Sequence, residues 1–469
     1  MRLISFLVIF LYSYGQTLSL EQAIKSALSK NRDLIVSSYG PKKSSFNILK
    51  EEGRFDLSLE SSVNFTQDKS AIQFTSDSTN YNIELSKYNS FGTDISIQYQ
   101  KDIIDSNPPF TLSSSTPRFD SSLGLSLSQN LLRNFGTTVN NTHISISKKM
   151  LQSEKYKLLE ATLLILYKVQ IAYWNLFEAQ QKYTLELFSL SLIEELLKQK
   201  ERMVELGGFA KALLLDIKAS RADSFTLVAD SKRSLEVAKL EFLEVIGLQN
   251  IDIELSDRPF EYDVKYSEDK ERYIDNHPMV LINNINVESL KQMNSFYENQ
   301  MLPSLSLDVG FETHNPSISD NSLSPYKDNH NVFGVGLQFS MSIDNSVIKS
   351  DLGKGRLSEL EYKANENRIK FYLKSEITKA IANIKYIKEL LFVAKQSVDI
   401  QKSIIKNEDK KLELGLTTMK NYLDNMKELT KRQIKLLEYE ASMMRYFATY
   451  YNAVASTPEF LNIDISELR

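Results

Sequence analysis

Two stretches of nearly seventy residues constrain this chain more than any other feature. Thr138–Leu206 contains no Pro or Gly, and Asn345–Leu414 contains only Gly353 and Gly355. A helix of about 69 residues, at 1.5 Å per residue, is roughly 100 Å long, far beyond an ordinary globular helix. Each stretch ends at a glycine break, Gly207-Gly208 or Gly415, and a second breaker-poor segment follows, 210–247 or 417–456. Tyr183, Leu190, Leu197 and Val204 recur every seven residues, as do Leu391, Val398, Ile405 and Leu412. Each long pair therefore reads as an antiparallel coiled-coil hairpin. Leu158, Leu159, Leu163, Leu166, Val169 and Trp174 cover more than one stripe, as a helix with neighbours on two sides would.

The same plan occurs twice. Glu205-Leu206-Gly207 and Glu413-Leu414-Gly415 lie 208 residues apart, and Leu215-Asp216 matches Leu423-Asp424 at the same offset. Val169 and Ala172 match Ile377 and Ala380 likewise. The reading is a tandem duplication, 16–250 and 251–469, each half running helix, strands, long helix, glycine break, long helix.

Between the helices the period changes to two. Strands are expected at about 57–67 and 119–130 in the first half, and at about 303–312 and 332–343 in the second. Leu305, Leu307 and Val309 alternate with Ser304, Ser306 and Asp308; Leu337, Phe339 and Met341 alternate with Gln338 and Ser340. One face is large and apolar, the other small and polar. A soluble sandwich can alternate in this way, but too few strands are available for a second sheet to cover the apolar face. A closed barrel with lipid outside and water inside satisfies both faces, so the first set is expected to face lipid and the second a lumen. An additional alternating pair at about 80–103, turning at Ser90-Phe91-Gly92-Thr93, is an extracellular or plugging hairpin, a continuation of longer strands, or two further barrel strands; four barrel strands per chain are favoured over six. Four strands are too few to close, so several chains must contribute.

Met1-Arg2, the apolar run Leu3–Tyr12 and the small residues Ser13 and Gly15 form the three parts of a secretory signal peptide, 1–15. The absence of cysteine excludes a disulfide scaffold, a thiolate metal site, a cysteine nucleophile and a lipid-bearing cysteine anchor. A net charge of −4 offers no basic field for nucleic acid.

Several segments resemble the TolC family of outer-membrane efflux proteins, the outer membrane factors. Leu18-Ser19-Leu20-Glu21-Gln22-Ala23-Ile24 is similar to the family's opening helix, and Tyr273-Ile274 with His277-Pro278-Met279-Val280 to its second copy. Leu302-Pro303-Ser304-Leu305 resembles the passage from helix to strand, and Gly124–Leu132 the passage from strand to helix. The resemblance spans the chain from about Gln16 onward. It implies an α+β membrane protein: a homotrimeric β-barrel of four strands per chain, continued by a coiled-coil α-helical barrel through the periplasm. It also implies an outer-membrane exit duct of a Gram-negative-type cell, working with a periplasmic adaptor and an inner-membrane RND or ABC-type transporter in efflux or type I secretion. By the same resemblance, Leu206, Gly207, Gly208, Leu414, Gly415 and Leu416 are adaptor-docking tips, and Thr417, Asn421 and Asp424 line a periplasmic gate. Asn421 stands where the family carries an acid, which weakens an acidic double ring.

No enzyme is expected. His143, His277, His314 and His330 show no helical spacing for a metal, Gly353-Lys354-Gly355 lacks the rest of a phosphate loop, and no cofactor is implied. The competing reading is a secreted coiled-coil fibre or adhesin, which accounts for the helices but not for strands with a lipid-compatible face.

Overall fold

The computed structural model describes residues 16–71, 74–107, 118–208, 210–249, 253–259, 266–267, 269, 271–317 and 330–460. The expected signal peptide lies outside these residues. In the first half the elements are β1 (Gln16–Leu18), α1 (Leu20–Lys30), α2 (Arg32–Ser37), α3 (Tyr39–Glu52), β2 (Leu57–Ala71), β3 (Phe74–Tyr88), β4 (Thr93–Asn107), β5 (Arg118–Asn130), α4 (Thr137–Asn140), α5 (Thr142–Glu205) and α6 (Leu213–Ile246). Then come β6 (Ile253–Leu255), α7 (Glu271–Ile274), α8 (Pro278–Gln300), β7 (Ser304–Ser317), β8 (His330–Ser340), α9 (Ser346–Glu413), α10 (Met419–Ala453) and α11 (Thr457–Phe460). They divide into two compact units. One comprises Met1–Gly40, Lys155–Ile282 and Glu366–Arg469, and the other Pro41–Glu154 and Asn283–Asn365.

The second unit holds a single antiparallel sheet in the order β2-β3-β4-β5-β7-β8. The sheet thus has the six strands of the alternative reading, in place of the favoured four with a separate hairpin. β3 and β4 are 15 residues each and are paired along their length between β2 and β5. The reason is phase: Leu85 and Ile97 alternate in step with Leu59 and Leu125, so the hairpin extends both faces of the sheet.

Its turn is built into the structure. Asn89 N–H donates to the Thr93 carbonyl (2.9 Å), Gly92 N–H donates to the Asn89 carbonyl (3.0 Å), and Gly92 has φ +87°. That is a turn closed by a glycine in the left-handed region. A Cβ at Gly92 would meet the Asn134 carbonyl at 2.2 Å. The Asn140 amide donates to that same carbonyl, while its oxygen accepts from Tyr88 OH (2.8 Å). The same Asn140 amide also reaches the Gly136 carbonyl, and Asn141 ends α4. Consequently α5 begins at Thr142 rather than at 138.

The first unit is helical. Its main core gathers Leu20, Ile24, Leu166, Tyr173, Trp174 and Phe242, among others, with Tyr173 and Phe177 set edge-on to Trp174. α1 starts in a reciprocal capping box between Ser19 and Gln22. α6 ends at Gly247 (φ +72°), where any Cβ would strike the Lys30 carbonyl at 2.6 Å. A second core packs Ile377, Ala380 and Ile384 of α9 against Phe447 and Tyr450 of α10. No helix among the described residues is long and apolar enough to cross a membrane.

Candidate channel wall, turn tips and gate

Strand register sorts the sheet into two chemically distinct faces. Following paired residues across all six strands gives Leu59, Leu85, Ile97, Leu125, Phe311 and Phe333, an unbroken apolar row. The row behind it on the other face is Ser58, Ser86, Ser96, Ser126, Gly310 and Gly334, every one small. Ser58 and Ser86 join through their hydroxyls (2.7 Å), as do Ser96 and Ser126 (2.7 Å). Five of the six side chains in the apolar row are exposed, Leu59 and Phe333 each at 70%, and among the described residues nothing covers that row. Lys87 and Lys101 share the apolar face at its two margins, opposite Leu57 and Ser121 respectively. Lys101 lies 5.8 Å from the Phe119 ring centre. Long cationic side chains at the edges of an apolar band can lift their heads into the polar layer.

The register pairs Leu305 with Phe339 and Leu307 with Leu337, and sets Val309 opposite Val335, all on the apolar face. Ser304 pairs with Ser340, Ser306 with Gln338 and Asp308 with Gly336 on the other. Asp308 accepts from the hydroxyls of Ser128 and Ser306. β8 ends at Ser340, so Met341 falls one residue beyond the strand and no ladder fixes its face. This corrects its placement in a strand reaching 343.

Histidines that look scattered in sequence meet here. His314 and His330 are direct cross-strand partners on the small polar face. The two ring nitrogens of His314 each lie 3.4 Å from a carboxylate, of Asp120 and of Glu312. The signal was absent from residue spacing because the two come together only through the β7–β8 register. Among the described residues no group of three or more His, Asp or Glu is arranged to hold a metal ion.

His277 has a different setting. Its Nδ1 accepts the Met279 N–H (3.2 Å) at the start of α8, where Pro278 occupies the first helical position. Burial lowers its pKa to about 4, so the ring is a neutral cap.

The two glycine breaks share one geometry. Gly207 N–H donates to the Val204 carbonyl (3.0 Å) and Gly208 N–H to Met203 (2.8 Å). Gly415 N–H donates to Leu412 (3.1 Å) and Leu416 N–H to Lys411 (2.8 Å). With φ +73° and +72° at Gly207 and Gly415, both are Schellman ends. Among the described residues, no atom beyond the chain neighbours lies within 4 Å of a Cβ built at either glycine. Leu206, Leu414 and Leu416 are exposed by 87%, 73% and 72%, leaving an apolar side chain at each turn.

After the second turn, Thr417 donates its hydroxyl to Glu408 (2.9 Å), whose carboxylate Lys411 and Thr417 hold below its usual range. Thr418 caps α10 by accepting the Asn421 N–H (3.2 Å). Asp424 is exposed and ion-pairs with neither nearby lysine: Lys427 reaches Asp223 instead, at 3.0 Å. Thr417, Asn421 and Asp424 therefore lie together at one helix start, but they make no bond to one another. The residues matched across the two halves also differ in burial. Leu423 packs with Ile193, Leu214, Ile217 and Met419, whereas Leu215 is exposed.

No protein-family profile matches the sequence, and no curated protein matches it in sequence. Solved structures do match in fold. The chain is similar to CusC, a protein described as forming a transmembrane channel, with 12% identity and TM-score 0.70 over 95% of each chain. It is similar to the Campylobacter jejuni CmeC outer membrane channel, with 15% identity and TM-score 0.68 over 96% of this chain and 90% of that one. The open state of the Neisseria gonorrhoeae MtrE outer membrane channel matches at 14% identity and TM-score 0.70, over 93% and 89% of the two chains.

Proposed function

We propose that this chain, having the fold of outer-membrane channels, is itself a channel subunit of the outer membrane. In this reading it forms a homotrimer and serves as the passive exit duct of a tripartite efflux or type I secretion system. A periplasmic adaptor docks at the Gly207 and Gly415 turns, and an inner-membrane RND or ABC-type transporter supplies cargo. The observation that carries the reading is the sheet: a row apolar across six strands and largely exposed, with a row of serines and glycines behind it. In lipid every backbone polar group must be satisfied, and an open sheet cannot meet that condition alone. Trimer formation is supported further by unpartnered apolar side chains on the helices. Tyr386, Val393 and Ile400 on α9 are exposed at heptad spacing, and Leu215, Val237 and Leu240 are exposed on α6.

The test is fractionation followed by planar-bilayer recording. The full chain is expected in the outer membrane as a detergent-stable trimer that conducts ions. Recovery as a soluble, non-conducting protein would overturn the channel and favour a coiled-coil fibre.

A further inference from the structure

The sheet has two open edges, β2 and β8, and neither is short or interrupted by proline. β2 is 15 residues and β8 is 11; β8 contains no Asp, Glu, Lys or Arg, and the register shift of β2, between Asp68 and Ala71, lies at its far end and leaves Leu57–Asp68 regular, with Glu60 as the one charged residue before Asp68. Edges that stay open in solution are usually short, bulged, proline-bearing or charged. These edges look made for pairing.

We propose that β8 of one copy continues into β2 of the next, so that every copy sets six strands into a shared wall and three copies close it with eighteen. The inference rests on the channel reading for the number three; the choice of edges rests on topology. Because the strand number is even, β2 and β8 run in opposite directions, and a β8-to-β2 seam keeps the whole wall antiparallel. Every connection from the sheet to a helix leaves from one end. β2 and β7 are entered there and β5 and β8 depart from it, while the β3–β4 turn occupies the remaining place.

Other seams fail on this geometry. Antiparallel pairing of β2 with β2 would point the helical ends of two copies to opposite sides of the bilayer. Parallel pairing of β2 with β2 would keep the ends together but set an apolar face beside a polar one. Only the heterologous seam keeps both ends and faces aligned, and such a seam closes into a ring when the rotation permits. A wall of eighteen strands is in the size class of porins that enclose an aqueous channel. The β3–β4 hairpin accordingly widens the duct rather than plugging it.

The test uses the absence of cysteine from the chain. Ser58→Cys, Ser62→Cys or Thr66→Cys on β2 is combined in turn with Gly334→Cys, Gly336→Cys or Gln338→Cys on β8. All six positions share the small polar face. Oxidation of the full-length protein in outer membranes should give, for at least one pair, a ladder of covalent dimers and trimers that stops at three. Each single variant should stay monomeric on denaturing gels. Absence of crosslinks from every pair, a ladder passing three, or dimers from a β2 cysteine alone would overturn the seam. Conductance of the unaltered protein is recorded alongside. Channels that conduct without crosslinking would fail the seam alone, whereas a soluble, non-conducting chain would fail the channel reading.

Discussion

His277 is a residue whose role depends on staying uncharged. Protonation would remove the lone pair that accepts the Met279 N–H and place a cation at a helix start. Its folded pKa of about 4 lies below the ordinary value of 6.5, so the unfolded chain binds the proton first as pH falls. The cap's contribution is therefore complete above about pH 6.5 and is lost progressively toward pH 4, roughly 3 kcal/mol in all. His277→Asn, which retains an acceptor but does not titrate, should lose about 2 kcal/mol less than wild type between pH 7 and pH 5. Denaturant midpoints at the two pH values measure this, and parallel pH profiles would remove the neutral cap from the account. Gly415 depends instead on backbone sign. Nothing lies near its Cβ, so the cost of substitution is conformational: about 1–2 kcal/mol for an ordinary side chain in the left-handed region, less for Asn. Gly415→Asn should therefore retain export. Gly415→Val should abolish it while outer-membrane trimers persist. Export that is equal in both variants would separate the turn from adaptor docking.

At the scale of elements, the sheet makes the sharpest demand. Leu125 sits in a row that is apolar through six strands, and Ser126 sits behind it among serines and glycines. Leu125→Arg should cost roughly 2–4 kcal/mol near the bilayer midplane and deplete assembled trimers. Ser126→Arg loses one hydroxyl contact with Ser96 and should assemble with altered conductance. Heat-resistant trimer on gels, together with single-channel recording, compares the two; equal tolerance would reject the assigned faces. Much of this was legible beforehand, because alternation of Leu123, Leu125 and Leu127 with small residues is a local signal. The long helices were legible for a similar reason, being defined by missing breakers and a heptad seam. What the residues could not disclose was pairing. The close approach of Gly92 to the Asn134 carbonyl joins residues 42 positions apart and is invisible to local alternation. His314 meets His330 only once β7 and β8 choose a register. The α5 start was misplaced because Asn140 turns back to two carbonyls, a choice that helix propensity does not encode.

At the scale of the whole assembly, three copies would change what one exposed carboxylate does. In a single chain Asp424 is an exposed residue with no ion pair among the described residues, and its neighbour Lys427 is engaged by Asp223. In the proposed trimer, three Asp424 side chains would ring the periplasmic entrance. A monovalent cation about 6 Å from each would gain roughly 2 kcal/mol in water-like dielectric, and a divalent cation about twice that. Such a ring should attract cations at low salt and weaken as the screening length falls from about 10 Å at 0.1 M to about 3 Å at 1 M. Asn421, one turn earlier, adds no charge, so a single ring must carry the whole effect. Asp424→Asn is therefore expected to lower cation selectivity and relieve block by multivalent cations without disturbing trimers. Asp424→Glu should preserve both properties. The difference between wild type and Asp424→Asn should shrink at 1 M salt, which a change of pore shape would not do. Reversal potentials measured on assembled trimers at two salt concentrations decide the matter. Identical selectivity in wild type and Asp424→Asn at low salt would return Asp424 to the solvated face of its helix.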